Sequence, residues 1–173
     1  IRHNNLLIIE YSMMYHYGNE HIWNPIKMPF IDSHTHLDSF SDSDISDILD
    51  RSREAGVTAL ITAGTTYKSS VRAVEITTKF AEIFAGIGIH PMDLTAPVDE
   101  QVCHNLIKLA SSNNKVVVMS EIGLDFMEGT PDRAIQYQSF RMQIRVARSL
   151  KLPIVFHTRE ATEETLRVLR EEQ

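Results

Sequence analysis

From Phe30 onward the chain repeats one pattern: a short apolar run, a turn, a stretch with apolar residues three and four apart, then a Gly, Asn or Pro before the next apolar run. Short runs bounded by turn residues read as strands, and the 3.6-residue period reads as helices packed on one side. The pattern predicts strands over Phe30–His36, Val57–Ala63, Ile83–Ile89, Val116–Ile122 and Ile154–His157. It predicts helices from Asp42 to a stop at Gly56, from Lys68 to Phe80, from Asp99 to Ser111, from Pro131 to Leu150, and from Ala161 onward. Ser41 or Ser43 caps the first of these, with Ile45, Ile48, Leu49 and Ala55 facing inward. In the fourth, Tyr137, Phe140, Ile144 and Ala147 fall at inward spacing.

Strands alternating with helices imply a parallel sheet, and strands apolar on both faces imply that helices cover it. Two architectures satisfy this, a closed barrel and an open doubly wound sheet. No Gly-rich phosphate loop follows the first strand, which removes the main support for the second. Five units of about 29 residues scale to about 230 residues for eight, close to a (β/α)8 barrel. The expectation is therefore an α/β fold, a partial TIM barrel with its first five βα units in residues 28–173. Residues 1–27 lack this periodicity, and Met28 stands just before the first strand, so Met28 reads as the natural start and residues 1–27 as a non-native or mis-assigned N-terminal extension.

Composition adds little to the fold but narrows the function. The chain has 173 residues, 43% hydrophobic and 23% charged, which suits a soluble domain with one sizeable core. The single cysteine, Cys103, rules out an internal disulfide framework and sits among apolar helix positions, so a buried thiol in a cytoplasmic protein is expected. Leu6–Ile9 is too short to span a membrane. A net charge of −6 argues against gripping nucleic acid through bulk positive potential. Bound divalent cations would supply that charge locally.

The candidate chemistry lies at the strand ends. His34 and His36 are one residue apart on the first strand, a spacing that aims both imidazoles to one side. His90 ends the third strand, Glu121 the fourth and His157 the fifth, and the C-terminal strand ends are where parallel barrels carry their catalytic groups. A carboxylate after the apolar run Val116–Ser120 is costly unless paired or bound to metal. Imidazoles suit borderline divalent metals, and one carboxylate can bridge two of them. Asp32 shares the His34 and His36 face, either as an acceptor behind the imidazoles or as a local strand hydrogen bond. Arg159, just past the fifth strand, faces either an incoming phosphate or the nearby Glu160 or Glu163. Arg141, Arg145 and Arg148, at helical spacing, read as a solvated outer face.

Four segments together resemble the TatD-type metal-dependent deoxyribonucleases of the amidohydrolase-like barrel class: Phe30–Asp38, Gly86–Pro91, Ser120–Phe126 and Leu152–Ala161. The resemblance implies that His34, His36 and Glu121 bind one metal, that Glu121 bridges to a second, and that His157 binds the second. It also implies that His90, Asp125 and Arg159 stand near the site, with Glu121, His90 and Arg159 in the catalytic group. Two divalent ions, magnesium or zinc, and DNA ends as substrate follow from the same resemblance, with no membrane and no obligate protein partner. The family carries two further site residues, a histidine and an aspartate, at later strand ends than the five counted here. On that basis residues 1–173 alone are expected to hold metal weakly and to show little nuclease activity; and because five of eight units leave the first and fifth strands as unpaired edges, they are expected to be poorly soluble or dimeric. Two other readings stand beside the nuclease: a related barrel hydrolase acting on a small ester, lactone or amide, and a catalytically inert partial chain.

Overall fold

The computed structural model describes residues 29–173; the reading of residues 1–27 as an extension, and of Met28 as the start, lies outside the described residues. Five parallel strands run β1 (Phe30–Thr35), β2 (Val57–Ala63), β3 (Ile83–Ile87), β4 (Val116–Asp125) and β5 (Ile154–Arg159), and they pair in sequential order. Between and after them come α1 (Asp42–Glu54), α2 (Tyr67–Lys79), α3 (Glu100–Ser111), α4 (Arg133–Leu150) and α5 (Thr162–Glu171). Right-handed crossovers that always step the same way place every helix on one face of the sheet, so the sheet curls as part of a (β/α) barrel. All strand C-termini, and the loops that follow them, then share one rim.

Local chemistry sets the elements. Ser41 caps α1, accepting from the Asp44 amide while the Asp44 carboxylate accepts from the Ser41 amide, and Thr66 with Ser69 repeats this box on α2. Asp132 caps α4, so that helix starts at Arg133 rather than at Pro131. Ile45 and Leu49 pack α1 against Leu60 and Ile83, with Ile48 partly buried. Ala55, expected inward, is exposed because α1 has already ended at the Gly56 turn. The larger core gathers Ile87, Leu106, Met119, Ile122, Leu124, Phe140 and Ile144 between the sheet and helices α2 to α5. Cys103 is buried there, as expected.

The three arginines of α4 lie on its outer face as expected, Arg145 and Arg148 exposed and Arg141 partly so, but they are paired there. Arg141, Arg145 and Arg148 all reach Glu172, whose side chain is only 6% exposed, and Arg141 also pairs with Glu171. They fasten the end of α5 across α4. No helix among the described residues is long and apolar enough to cross a membrane.

Candidate metal centre

The structure brings His34, His36, His90, Glu121, His157 and Arg159 to the C-terminal rim of the sheet, around Glu121. His34 Nε2 lies 3.2 Å and His36 Nε2 3.9 Å from Glu121 Oε2, whereas His157 Nδ1 lies 3.5 Å from Oε1. One carboxylate thus presents each of its oxygens to a different edge of the sheet: Oε2 to β1 and Oε1 to β5. The rings of His34 and His36 stand edge to face at 4.9 Å, as the alternation of β1 requires.

The neighbours of each ring decide which nitrogen is free. His36 Nδ1 lies 2.9 Å from the Ala63 carbonyl, which can only accept, so Nδ1 carries the proton and Nε2 keeps a lone pair facing Glu121. His157 Nε2 lies 2.9 Å from Asp125 Oδ2, so Nε2 donates and Nδ1 is the nitrogen left free to ligate. His90 is set the opposite way. Its Nδ1 accepts from the Met92 amide at 3.1 Å, which leaves the neutral ring's proton on Nε2.

Two sets of three donors close to within 4.8 Å: His34, His36 and Glu121, and His90, Glu121 and His157. Imidazole and carboxylate together suit a borderline divalent cation. In the second set the tautomer of His90 makes it a hydrogen-bond donor rather than a ligand, although its ring packs 4.4 Å from that of His157.

Asp125 has the role that no strand-end count assigned. It is fully buried, and its Oδ2 accepts from both His157 and Arg159, the latter at 2.7 Å, while Oδ1 accepts from the Met127 amide. Arg159 therefore pairs with Asp125, not with Glu160 or Glu163, and its side chain remains 46% exposed at the rim. Because β4 continues to residue 125, alternation puts Glu121 and Asp125 on one face, and the sequence pointed to this only through the resemblance that set Asp125 near the site. Asp32 takes the local option, its Oδ1 accepting from the His34 amide at 3.3 Å.

Charge balance follows from these contacts. The His157 and His34 imidazoles hold the Glu121 carboxyl well below the usual carboxylate range, against the opposing effect of burial. Glu121 in turn raises His34 and His157 above the ordinary histidine value of 6.5. Burial, reinforced by the nearby charge of His157, lowers His90, which stays neutral. Burial pushes Asp125 upward, but Arg159, the Met127 amide and His157 outweigh it and keep it ionised.

These directions give a testable linkage. A cation needs the unprotonated rings of His34 and His157, and both hold their protons beyond 6.5, so divalent-ion affinity is expected to rise with pH through and above that value. Calorimetric Mn2+ titrations on either side of it check the sign. An affinity independent of pH would contradict the assignment of these rings.

The sequence and the fold find relatives among known proteins. Residues 31–173 match the TatD related DNase family model, and the chain belongs to that family. It is 34% identical over 142 residues to the uncharacterized metal-dependent hydrolase YabD of Bacillus subtilis, covering 82% of this chain and 55% of that protein. It is 32% identical over 120 residues to the 3'-5' ssDNA/RNA exonuclease TatD of Cronobacter turicensis, covering 69% of this chain and 45% of that one. The crystal structure of the TatD homolog YJJV from Escherichia coli superimposes with a TM-score of 0.75 at 27% identity, covering 83% of this chain and 56% of that one. The chain thus spans about half the length of the relatives it matches.

Proposed function

We propose that the protein is a divalent-cation-dependent phosphodiesterase that removes nucleotides from the 3′ ends of DNA. The observation that carries this reading is the split carboxylate of Glu121, with Oε2 turned to His34 and His36 and Oε1 turned to His157. That arrangement suits two cations, magnesium or zinc, one at His34, His36 and Glu121 and the other at Glu121 and His157. When bound, such a pair supplies Lewis acidity, acidifying water and drawing charge from the phosphate in hydrolysis.

The remaining roles belong to the chain itself. Glu121 and the three ligating imidazoles fix the cation positions, and Asp125 holds His157 with Nδ1 forward. His90, neutral with its proton on Nε2, donates to a phosphate oxygen as charge builds there. Arg159, anchored by Asp125 yet half exposed, offers its remaining N–H groups to the incoming phosphodiester. The nucleic-acid substrate is supported by family membership and by the name of the Cronobacter relative.

The test is degradation of single-stranded DNA by the full-length protein, with label at either end and with Mg2+, Mn2+ or chelator. Stepwise loss from the 3′ end that stops on chelation is expected. Hydrolysis of small esters or lactones with intact DNA would overturn the substrate assignment. Arg159→Ala is expected to lower kcat/KM by roughly tenfold, since it removes one charge-assisted contact and leaves every ligand in place. Unchanged kcat/KM would show that Arg159 serves Asp125 alone.

A further inference from the structure

Helix α4 buries three polar side chains on one face, Gln136, Ser139 and Gln143, each no more than 1% exposed. The two glutamines make the same unusual contact at two places. Gln143 Oε1 accepts from the Ile89 amide at 2.7 Å, and its Nε2 donates to the Ile89 carbonyl at 3.1 Å. Gln136 Oε1 accepts from the Asp125 amide at 2.7 Å, and its Nε2 donates to the Asp125 carbonyl at 2.7 Å and also to Pro131 O. A primary amide can serve the N–H and the C=O of one residue together through two separate atoms, which an apolar side chain cannot do.

The places are informative. Ile89 lies beyond the end of β3 and immediately before His90; Asp125 ends β4 and holds both His157 and Arg159. At these points the sheet ladder gives out, and the backbone polar groups must find partners elsewhere. A seven-residue spacing puts both glutamines on one face of α4, about 10 Å apart along the axis. The helix thereby grips the exits of two strands at once. Ser139, between them, bonds the Val98 amide at 2.9 Å, in a segment that carries none of the site residues.

We propose that Gln136 and Gln143 are positioning residues that lock the metal centre: Gln136 fixes Asp125 and through it the aim of His157, and Gln143 fixes Ile89 and through it the aim and tautomer of His90. The inference rests on the cation-site reading above, and it assigns the two glutamines different effects. Gln136 acts through a ligating ring, so its loss shows in cation affinity. Gln143 acts through a donor ring, so its loss shows in turnover.

The experiment uses full-length protein with Gln136→Met, Gln143→Met and, as a control of equal burial on the same face, Ser139→Ala. For Gln136→Met, calorimetry should show one of two Mn2+ binding events weakened by about tenfold or more and the other unchanged. For Gln143→Met, both events should persist, kcat should fall about tenfold at unchanged KM, and the 15N imidazole spectrum of His90 should lose its single Nε2–H tautomer. Ser139→Ala should lower Tm without either effect. Should a methionine variant fail to fold, Gln136→Glu and Gln143→Glu keep the length and the acceptor for the amide, and each should move the same readout in the same direction. Variants that lower Tm like Ser139→Ala, with Mn2+ affinities, kcat and the His90 spectrum unchanged, would overturn the proposal and leave the cation site standing. Wild-type protein that binds no Mn2+ would overturn the cation site itself, before any substitution is read.

Discussion

Glu121→Ala is expected to abolish metal-dependent hydrolysis, lowering kcat/KM by about a thousandfold or more, or roughly 4 kcal/mol of transition-state stabilisation. The size follows from the geometry of one side chain. Both of its oxygens face imidazoles, Oε2 those of His34 and His36 and Oε1 that of His157, so one substitution removes a ligand from each donor group. It also removes the negative charge that keeps three imidazoles close together, leaving them to repel one another when protonated. Arg159→Ala, which spares every ligand, should cost far less. Glu121→Gln separates charge from shape: it keeps the volume and one acceptor oxygen, and it should fail nearly as badly because a neutral amide is a poor bridge between cations. Steady-state kinetics with added Mg2+ or Mn2+ check both variants. Full activity in Glu121→Ala would show that the reaction centre lies elsewhere.

Gly123→Ala is expected to be the most damaging single-methyl addition near the site. Gly123 sits at φ +153°, in register with His157 across the β4–β5 ladder, and a Cβ built there would lie 2.0 Å from the His157 carbonyl oxygen. That atom is backbone in a hydrogen-bonded strand, so it cannot swing aside as a side-chain tip would. Relief requires β5 to move away from β4, which carries His157 away from Glu121 and Asp125. Clash and backbone strain together should cost more than about 3 kcal/mol, lowering Tm by roughly 10 °C for a chain of this size. Cation affinity should fall as well, because the displaced strand bears a ligand. A variant with wild-type Tm and wild-type Mn2+ affinity would contradict the close approach.

These two positions also show what the sequence made legible and why. Glu121 stood out because an ionisable group at the end of an apolar strand is expensive, and that expense is visible in one dimension. The five strands and five helices were legible from period alone, and β2 was legible end to end, but several other ends were not. Strand β3 stops at Ile87 instead of Ile89, since Ile89 bonds to Gln143 rather than to a neighbouring strand. Strands β4 and β5 run on to Asp125 and Arg159, past Ile122 and His157, because Leu124 and Asp125 pair with Thr158 and Arg159, and a lone apolar residue between Gly123 and Asp125 extends no visible run. The same blindness hid the face of α4. Tyr137, Phe140, Ile144 and Ala147 marked its inward side, yet Gln136, Ser139 and Gln143 are buried with them, and a polar residue satisfied by distant backbone looks like a solvent-facing one until the fold supplies the partner. The state of each histidine was likewise out of reach. His36 is set by the Ala63 carbonyl and His157 by Asp125, contacts spanning 27 and 32 residues. His90 is set by an amide only two residues on, but that turn forms because its side chain caps the short 3-10 turn Pro91–Asp93.

Sharing of Glu121 between two cation positions is read out by anomalous diffraction from Mn2+-soaked crystals of the full-length protein. Two peaks are expected to flank the Glu121 carboxylate at ligand distances of about 2.0–2.2 Å. One should lie at Oε2 with the Nε2 atoms of His34 and His36, the other at Oε1 with Nδ1 of His157, and His90 should ligate neither. A single peak that leaves His157 free, or peaks away from Glu121, would contradict that sharing.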